Sequence, residues 1–305
     1  MYDLIIAGGG PAGVAAGVYA ARKKMKTLVV TDSFGGQSLV SADIQNWIGT
    51  KNISGFELAQ NLEGHLRAQE GIEILNDKVV EVFKSEGGSF RVGVKGGKNF
   101  ETKAFLICSG SRRRRLGIPG EDRLDGKGVA FCSTCDAPIF SGKMVAVVGG
   151  GNAGLEAAVD LLPYATKIYL LEKMGFLRGD AVTEERLRAD SKINIMTEVE
   201  SVEVMGDNFV SGLKYRDLKT GEEKNLSVEG LFVEIGSVPN SDFVKDLVEL
   251  NKFGEIVADP RTQASSVSGI WAVGDVSDGL YKQNNIAAGD AVKAVLNIQE
   301  YLNKF

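Results

Sequence analysis

The sequence runs to 305 residues, with 44% apolar and 25% charged side chains: globular proportions, and enough chain for about two domains with cores of their own. A net charge of −5 offers no electrostatic footprint for nucleic acid, and three cysteines are too few, and odd in number, for a secreted disulfide framework. No run of about 18 apolar residues is present to span a membrane. The apolar start, Leu4 to Gly10, is short, follows Asp3 and continues into a helix pattern. No secretory signal is read, and a reducing, cytoplasmic setting is expected.

Tyr2 to Ala7 has the length and character of a buried strand and ends in Gly8-Gly9-Gly10-Pro11-Ala12-Gly13, a G-x-G-x-x-G turn. An alanine-rich helix pattern runs from Pro11 to about Arg22, a second strand from Thr27 to Thr31, and Asp32 stands at its end. This is a dinucleotide fingerprint in its full context: glycines let the backbone approach a pyrophosphate, a helix N-terminus offers free N–H groups to it, and an acid is placed for ribose hydroxyls. Phe34-Gly35-Gly36-Gln37 reads as an ordinary turn or as part of the same site. Phe56 to Gln69 predicts an amphipathic helix whose His65, the one histidine, is expected at the surface. Lys78 to Thr102 alternates apolar and polar residues around glycine turns, an antiparallel meander. Ala104 to Cys108 predicts a buried strand leading to Ser109-Gly110, with Cys108 a core residue. Arg112 to Arg115 is either a solvated connection between domains or a docking patch for an acidic protein or a phosphate.

Phe131-Cys132-Ser133-Thr134-Cys135-Asp136 is the stretch the rest is built around. A disulfide across so short a loop removes little unfolded-state entropy, which favours redox work over stapling. Half a zinc site is the other reading, but no second cysteine pair or histidine cluster completes four ligands. Asp136 is a candidate acid for protonating a leaving thiolate, or a helix cap or turn residue; with one distant histidine, a Cys–His couple is not expected.

Lys143 to Val148 is again a strand, and Gly149-Gly150-Gly151-Asn152-Ala153-Gly154 repeats the fingerprint. A helix to about Leu162, a strand from Lys167 to Leu171 and a terminal Glu172 follow, then a meander over Val199 to Leu226 and a strand from Leu231 to Ile235 before Gly236. Duplication at domain scale suggests two nucleotides, one donating to the other. Glu172 is placed to accept from a ribose 2′-hydroxyl and would repel a 2′-phosphate. Lys173 and Arg178 are near, but no tight arginine pair follows, so NADH is favoured over NADPH. Gly269 to Val273 predicts a strand that rejoins the first sheet, followed by Gly274-Asp275, Tyr281-Lys282-Gln283 and a helix from Asn285 to about Leu302. The expected fold is α/β: two Rossmann-like three-layer domains, each with a small antiparallel meander, the second (113–242) inserted into the first (1–112 plus 243–305).

Taken together, GGGPAG (8–13), FGGQ (34–37), SG (109–110), LGIPGE (116–121), FCSTCDAP (131–138), GGGNAG (149–154), GSVPN (236–240), GIWAVGD (269–275) and YKQ (281–283) resemble the low-molecular-weight thioredoxin reductase family. They equally resemble the reductase part of the alkyl hydroperoxide reductase flavoprotein, over essentially the whole chain. The resemblance implies FAD in the first domain, lined by Gly8, Gly10, Pro11, Ala12, Gly13, Asp32, Gly36, Gln37, Gly110, Gly274, Asp275 and Gln283. It implies a nicotinamide nucleotide in the second, at Gly149, Gly151, Asn152, Ala153, Gly154 and Glu172. It further implies a homodimer, a flavin-facing Cys135, and a Cys132 that attacks a thioredoxin- or glutaredoxin-like protein. Leu171 to Arg178 lacks the histidine and arginines of the NADPH-dependent members and is closer to the NADH-dependent peroxide-reductase form, as is Ala137-Pro138 after the motif. That flavoprotein carries an additional N-terminal disulfide domain, whereas this sequence starts at the FAD strand, so the acceptor is expected to be a separate protein. Relatives without the arginines include forms fed by ferredoxin or another donor, so the alternatives are the same scaffold reduced by such a donor, or a non-enzymatic flavin-bound redox sensor.

Overall fold

Apolar runs of strand length, alternating with helix-period segments, must bury both faces of a parallel sheet. The structure, a computed structural model, describes residues 1–41, 44–85 and 87–304; residue 86, within the meander expected over 78–102, and residue 305, the end of the expected first domain, lie outside the described residues. In chain order the elements are β1 (Tyr2–Gly9), α1 (Pro11–Arg22), β2 (Thr27–Phe34), α2 (Gly55–Arg67), β3 (Ile72–Asn76), β4 (Val79–Lys84), β5 (Phe90–Val94), β6 (Asn99–Ile107) and β7 (Ser111–Arg113). Then come β8 (Val129–Ala130), α3 (Ser133–Asp136), β9 (Met144–Val148), α4 (Asn152–Leu161), β10 (Lys167–Glu172), α5 (Ala181–Ala189) and β11 (Ile193–Thr197). The chain continues through β12 (Val199–Met205), β13 (Gly212–Asp217), β14 (Glu223–Leu226), β15 (Gly230–Val233), β16 (Ser237–Pro239), β17 (Ile270–Ala272) and α6 (Asn284–Leu302). They form two compact units, Met1–Arg112 with Val238–Phe305, and Arg113–Ser237. In this division the second crossing falls between Ser237 and Val238, inside β16.

In the first unit β3, β2, β1, β6 and β17 pair in parallel in that order, while β4, β5 and β6 form the antiparallel meander. The meander and the buried run expected from Ala104 are joined in one strand: Asn99 to Thr102 of β6 pairs with β5, and Phe105 to Ile107 with β17. Period-two alternation sorts β1 onto two cores. Leu4 and Ile6 pack with Val14 of α1 and Ala291, Ala294 and Ile298 of α6, whereas Ile5 and Ala7 pack with Val82, Phe90 and Val92 of the meander.

The second unit repeats the plan with a parallel sheet in the order β11-β10-β9-β15-β8 and a separate antiparallel β12-β13-β14. Val145 and Val147 of β9 pack with Leu155 and Leu161 of α4, and Ala146 and Val148 pack with Val204 and Leu213 of the meander. Among the described residues no helix is long and apolar enough to cross a membrane.

Helix starts differ in a way that matters for the site. α2 and α5 carry side-chain caps, Ser54 accepting from the Glu57 N–H (3.2 Å) and Asp180 from the Thr183 N–H (2.8 Å). α1 and α4 begin on Gly10 and Gly151 with no side-chain cap, so their first-turn N–H groups stay open to an anion.

Phe232 of β15 is fully buried and stacks edge-on to Phe140 (centroids 4.9 Å apart), which ends the turn after Asp136. Phe232→Ala removes that floor. It is expected to destabilise the second unit by about 3–5 kcal/mol, read by chemical denaturation.

Candidate active site

Parallel strands all end on one edge, and the chain reversals that leave them collect there. In the second unit, β8 ends at Ala130 and runs straight into Phe131-Cys132, β9 ends at the glycine turn, β10 at Glu172 and β15 at Val233-Glu234. Cys132 and Cys135 form a disulfide with Cα atoms 5.4 Å apart, and the Asp136 N–H donates to the Cys132 carbonyl (3.1 Å) to close the single turn of α3. Ser133 Oγ donates to Asp160 Oδ2 of α4 (2.8 Å), and Thr134 Oγ1 donates to the same oxygen (3.3 Å). Arg115 lies over the Phe131 ring, its Cζ 4.9 Å from the centroid, and is itself paired with Asp122 (3.1 Å) and Asp125. Arg112 donates to Asn240 Oδ1 (3.1 Å) and lies 3.8 Å from Asp242, so both ends of the arginine run have local acceptors.

The Asp136 side chain caps no helix. Burial pushes its carboxyl up to about 6, which suits a proton donor at neutral pH. Glu234 lies in the expected strand Leu231 to Ile235, and nothing in the local sequence marks it for the site. It stands at the end of β15, between the strand that ends in the glycine turn and the strand that leads to Cys132. Burial pushes it up to about 7; Arg113 opposes the rise, and Asp160, Glu156 and Asp136 add to it.

Gly149 has φ +126°, and a Cβ there would overlap the Glu234 carbonyl oxygen; a Cβ at Gly154 would overlap the Gly149 oxygen. These close approaches open the backbone of the turn, with Gly151 as N-cap and Asn152 and Ala153 exposed at the helix start. Glu172 is 4% exposed, and its two oxygens accept from the Gly150 N–H (2.7 Å) and the Met174 N–H (2.8 Å). Arg178 Nη2 lies 3.4 Å from Glu172, and Lys173 is paired with Glu200 (2.6 Å). The acid expected at a ribose therefore also shapes the turn, a role invisible in its spacing.

The first unit has the same frame. Gly8 (φ +124°) and Gly13 would clash through a Cβ with the Cys108 and Gly8 carbonyls respectively. Pro11 and Ala12 are buried in α1, and Asp32 is exposed near the end of β2. Gly110 follows β6 and Gly274-Asp275 follows β17, on the same carboxyl edge. Gln37, next to Gly36, donates from Nε2 to Asp275 Oδ2 (3.0 Å) and Ser111 Oγ (3.0 Å). Its Oε1 is buried with no hydrogen-bond partner among the described residues. An orphaned acceptor beside an uncapped helix and a Cβ-free turn fits a bound dinucleotide with donors of its own. Gln283 is the N-cap of α6, and its Oε1 accepts from Asn46 Nδ2 (3.3 Å). Cys108 is a buried thiol whose pKa burial raises, a core residue; His65 is exposed.

Residues 2–291 match the family model described as pyridine nucleotide-disulphide oxidoreductase. The chain belongs to that family. Pyridine nucleotide-disulphide oxidoreductases of this kind are FAD-binding enzymes that use a nicotinamide nucleotide. The chain is 42% identical over 301 residues to the F subunit of alkyl hydroperoxide reductase from Staphylococcus aureus (strain MRSA252), covering 99% of this chain and 59% of that protein. Against the F subunit of the Pseudomonas putida enzyme it is 41% identical over 304 residues, with 99% and 58% covered. It thus spans less than two thirds of the length of these relatives. Among solved structures, thioredoxin reductase from Streptococcus pyogenes MGAS5005 superposes with a TM-score of 0.87 at 31% identity, covering 100% of this chain and 99% of that one. Thioredoxin reductase from Giardia duodenalis gives 0.86 at 31%, with 99% of each covered.

Because burial raises Asp136 from its ordinary 3.8 to about 6, the folded unit holds this proton more tightly than the unfolded chain does. The linked stabilisation is complete below pH 3.8 and is lost as pH rises through about 6. Asp136→Asn is expected to be more stable than the parent near pH ~8, by about 1–2 kcal/mol once partial exposure is allowed for, and to converge with it near pH ~4 in thermal melts.

Proposed function

We propose that this chain is an FAD-dependent protein-disulfide reductase that takes electrons from NADH and delivers them through Cys132–Cys135 to a thioredoxin- or glutaredoxin-like protein. The observation that carries the reading is the closed disulfide on the same carboxyl edge as the second glycine turn. In this reading the first unit holds FAD through Gly8, Gly10, Gly13, Asp32, Gly36, Gln37, Gly110, Gly274, Asp275 and Gln283. The second holds the nicotinamide nucleotide through Gly149, Gly151, Asn152, Ala153, Gly154 and Glu172. Bound FAD supplies two-electron exchange between a nicotinamide and a disulfide. The preference for NADH over NADPH is supported by the Glu172 charge and by the pairing of Lys173 and Arg178 with carboxylates. A cytoplasmic homodimer is the assembly that goes with this reading.

Two electrons entering Cys132–Cys135 break the S–S bond, and two protons convert the sulfurs to thiols. In this reading Asp136, whose carboxyl burial pushes up to about 6, gives one proton to the sulfur that leaves and takes it back when a thiolate is needed. The Cys132 thiolate then attacks the partner's disulfide, forming a mixed disulfide as one partner sulfur departs and is protonated. Cys135 attacks Cys132 Sγ, releasing the second partner sulfur and restoring the Cys132–Cys135 bond.

Anaerobic mixing of the yellow holoprotein with NADH and, separately, with NADPH tests the donor. Fast bleaching of the flavin band by NADH is expected, at least about tenfold faster than by NADPH. Bleaching by neither defeats a nicotinamide donor and points to ferredoxin or another protein donor. Cys135→Ser is expected to keep bleaching by NADH and lose turnover of a thioredoxin disulfide; retained turnover removes the pair from the mechanism.

A further inference from the structure

We propose that Asp160 is a positioning residue for the redox pair: its carboxylate gathers the hydroxyls of both residues between the cysteines and holds the loop in register when the disulfide opens. The inference rests on the reading of Cys132–Cys135 as the working disulfide.

Ser133 Oγ lies 2.8 Å and Thr134 Oγ1 3.3 Å from one oxygen, Asp160 Oδ2. Hydrogen bonds to a carboxylate are about twice as strong as neutral ones. The loop has little else of its own. α3 is one turn long, begins on Cys132 without a side-chain cap, and is closed by two backbone bonds, from the Asp136 N–H to the Cys132 carbonyl and from the Ala137 N–H to the Ser133 carbonyl. An isolated turn of that length does not hold itself together. α4 is a firmer support, with Leu155, Ala157, Ala158 and Leu161 buried against the sheet. While the disulfide is closed, the covalent ring fixes the spacing of the sulfurs. Once two electrons and two protons have opened it, that tie is gone, and the Asp160 bonds remain to keep Cys132 and Cys135 within reach of each other for reclosure.

The same carboxylate adds negative charge against the two residues that link the sulfurs. Asp160 acts on Glu234 at the end of β15 together with Asp136 on α3, Glu156 on α4 and Arg113. A negative neighbour disfavours a thiolate, so removing this charge is expected to favour the thiolate in the reduced protein.

Asp160→Ala, Asp160→Asn, Ser133→Ala/Thr134→Val and the triple variant Ser133→Ala/Thr134→Val/Asp160→Ala test this in the holoprotein. Turnover of a thioredoxin disulfide and the pH profile of iodoacetamide alkylation of the reduced protein are both read. Asp160→Ala and the double variant are each expected to lose turnover on the order of tenfold, with the triple variant no slower than either. Asp160→Asn keeps an oxygen acceptor without the charge. It should recover most of the rate while its alkylation midpoint moves down by about half a pH unit. Parental turnover in Asp160→Ala, or losses that multiply in the triple variant, overturns the proposal. If Asp160→Ala does not fold, parental turnover in the double variant overturns it alone. Cys135→Ser separates the two levels: turnover retained there defeats the disulfide reading itself, whereas turnover lost there with Asp160→Ala unimpaired defeats only the positioning role.

Discussion

The arrangement depends on one constraint, the polarity of a parallel sheet. Strands that all point one way must send their outgoing turns to a single edge, and whatever chemistry the chain carries in those turns is brought together without further design. In the second unit this puts the cysteine pair after β8, the glycine turn after β9, Glu172 at the end of β10 and Glu234 just past β15 on one rim. Missing Cβ atoms then set how closely the rim packs. Gly149 sits against the Glu234 carbonyl and Gly154 against Gly149, just as Gly8 and Gly13 sit against Cys108 and Gly8 in the first unit. A methyl group at any of these places collides with backbone, which cannot swing away as a side chain can.

On the disulfide-reductase reading proposed above, burial at that rim meets a chemical need. A dithiol needs groups that exchange protons near neutral pH, and the chain's single histidine is exposed on α2, a helix of the other unit. Ordinary carboxylates are ionised too fully to donate. Desolvation moves Asp136 to about 6 and Glu234 to about 7, into the range where both forms are populated. The gain costs stability at high pH, because each group folds more readily protonated. Arg113 offsets part of this at Glu234, which gives one arginine of the run a role tied to the site rather than to solvent.

What can be read from sequence follows the range of the interactions involved. Glycine turns, the strands before them and the helices after them are local patterns; α1 and α6 begin and end, and α4 ends, within a residue or two of their sequence-derived limits. β3, α5 and β11 leave no comparable mark, because their side chains are mostly half-exposed or exposed and show little periodicity. β6 reads as two segments because its character changes midway, from a meander strand to a strand buried on both faces. Asp136 is legible beside its cysteine, whereas Asp160 is not. The spacing of a helix says which residues share its face but not that one of them meets a loop that precedes it by more than a strand. Glu234 is visible as an acid inside an apolar run, but its meaning comes from neighbours supplied by α3 and α4.

The two copies of the fingerprint diverge most at the acid ending their second strand. Asp32 is exposed, its side chain turned to a neighbouring hydroxyl, Ser33 Oγ at 3.4 Å, and it is available to a ligand. Glu172, one methylene longer, reaches under its own glycine turn and takes the Gly150 and Met174 N–H groups. Buried acceptors of backbone N–H groups are costly to lose, so Glu172 ties the shape of the second turn to the acid proposed above to favour NADH. Exchanging that acid for a residue friendlier to a 2′-phosphate therefore disturbs the turn as well as the charge. On the proposed reading, a change of nucleotide preference in this unit begins in the 173–178 segment, where Lys173 pairs with Glu200 and Arg178 with Glu172.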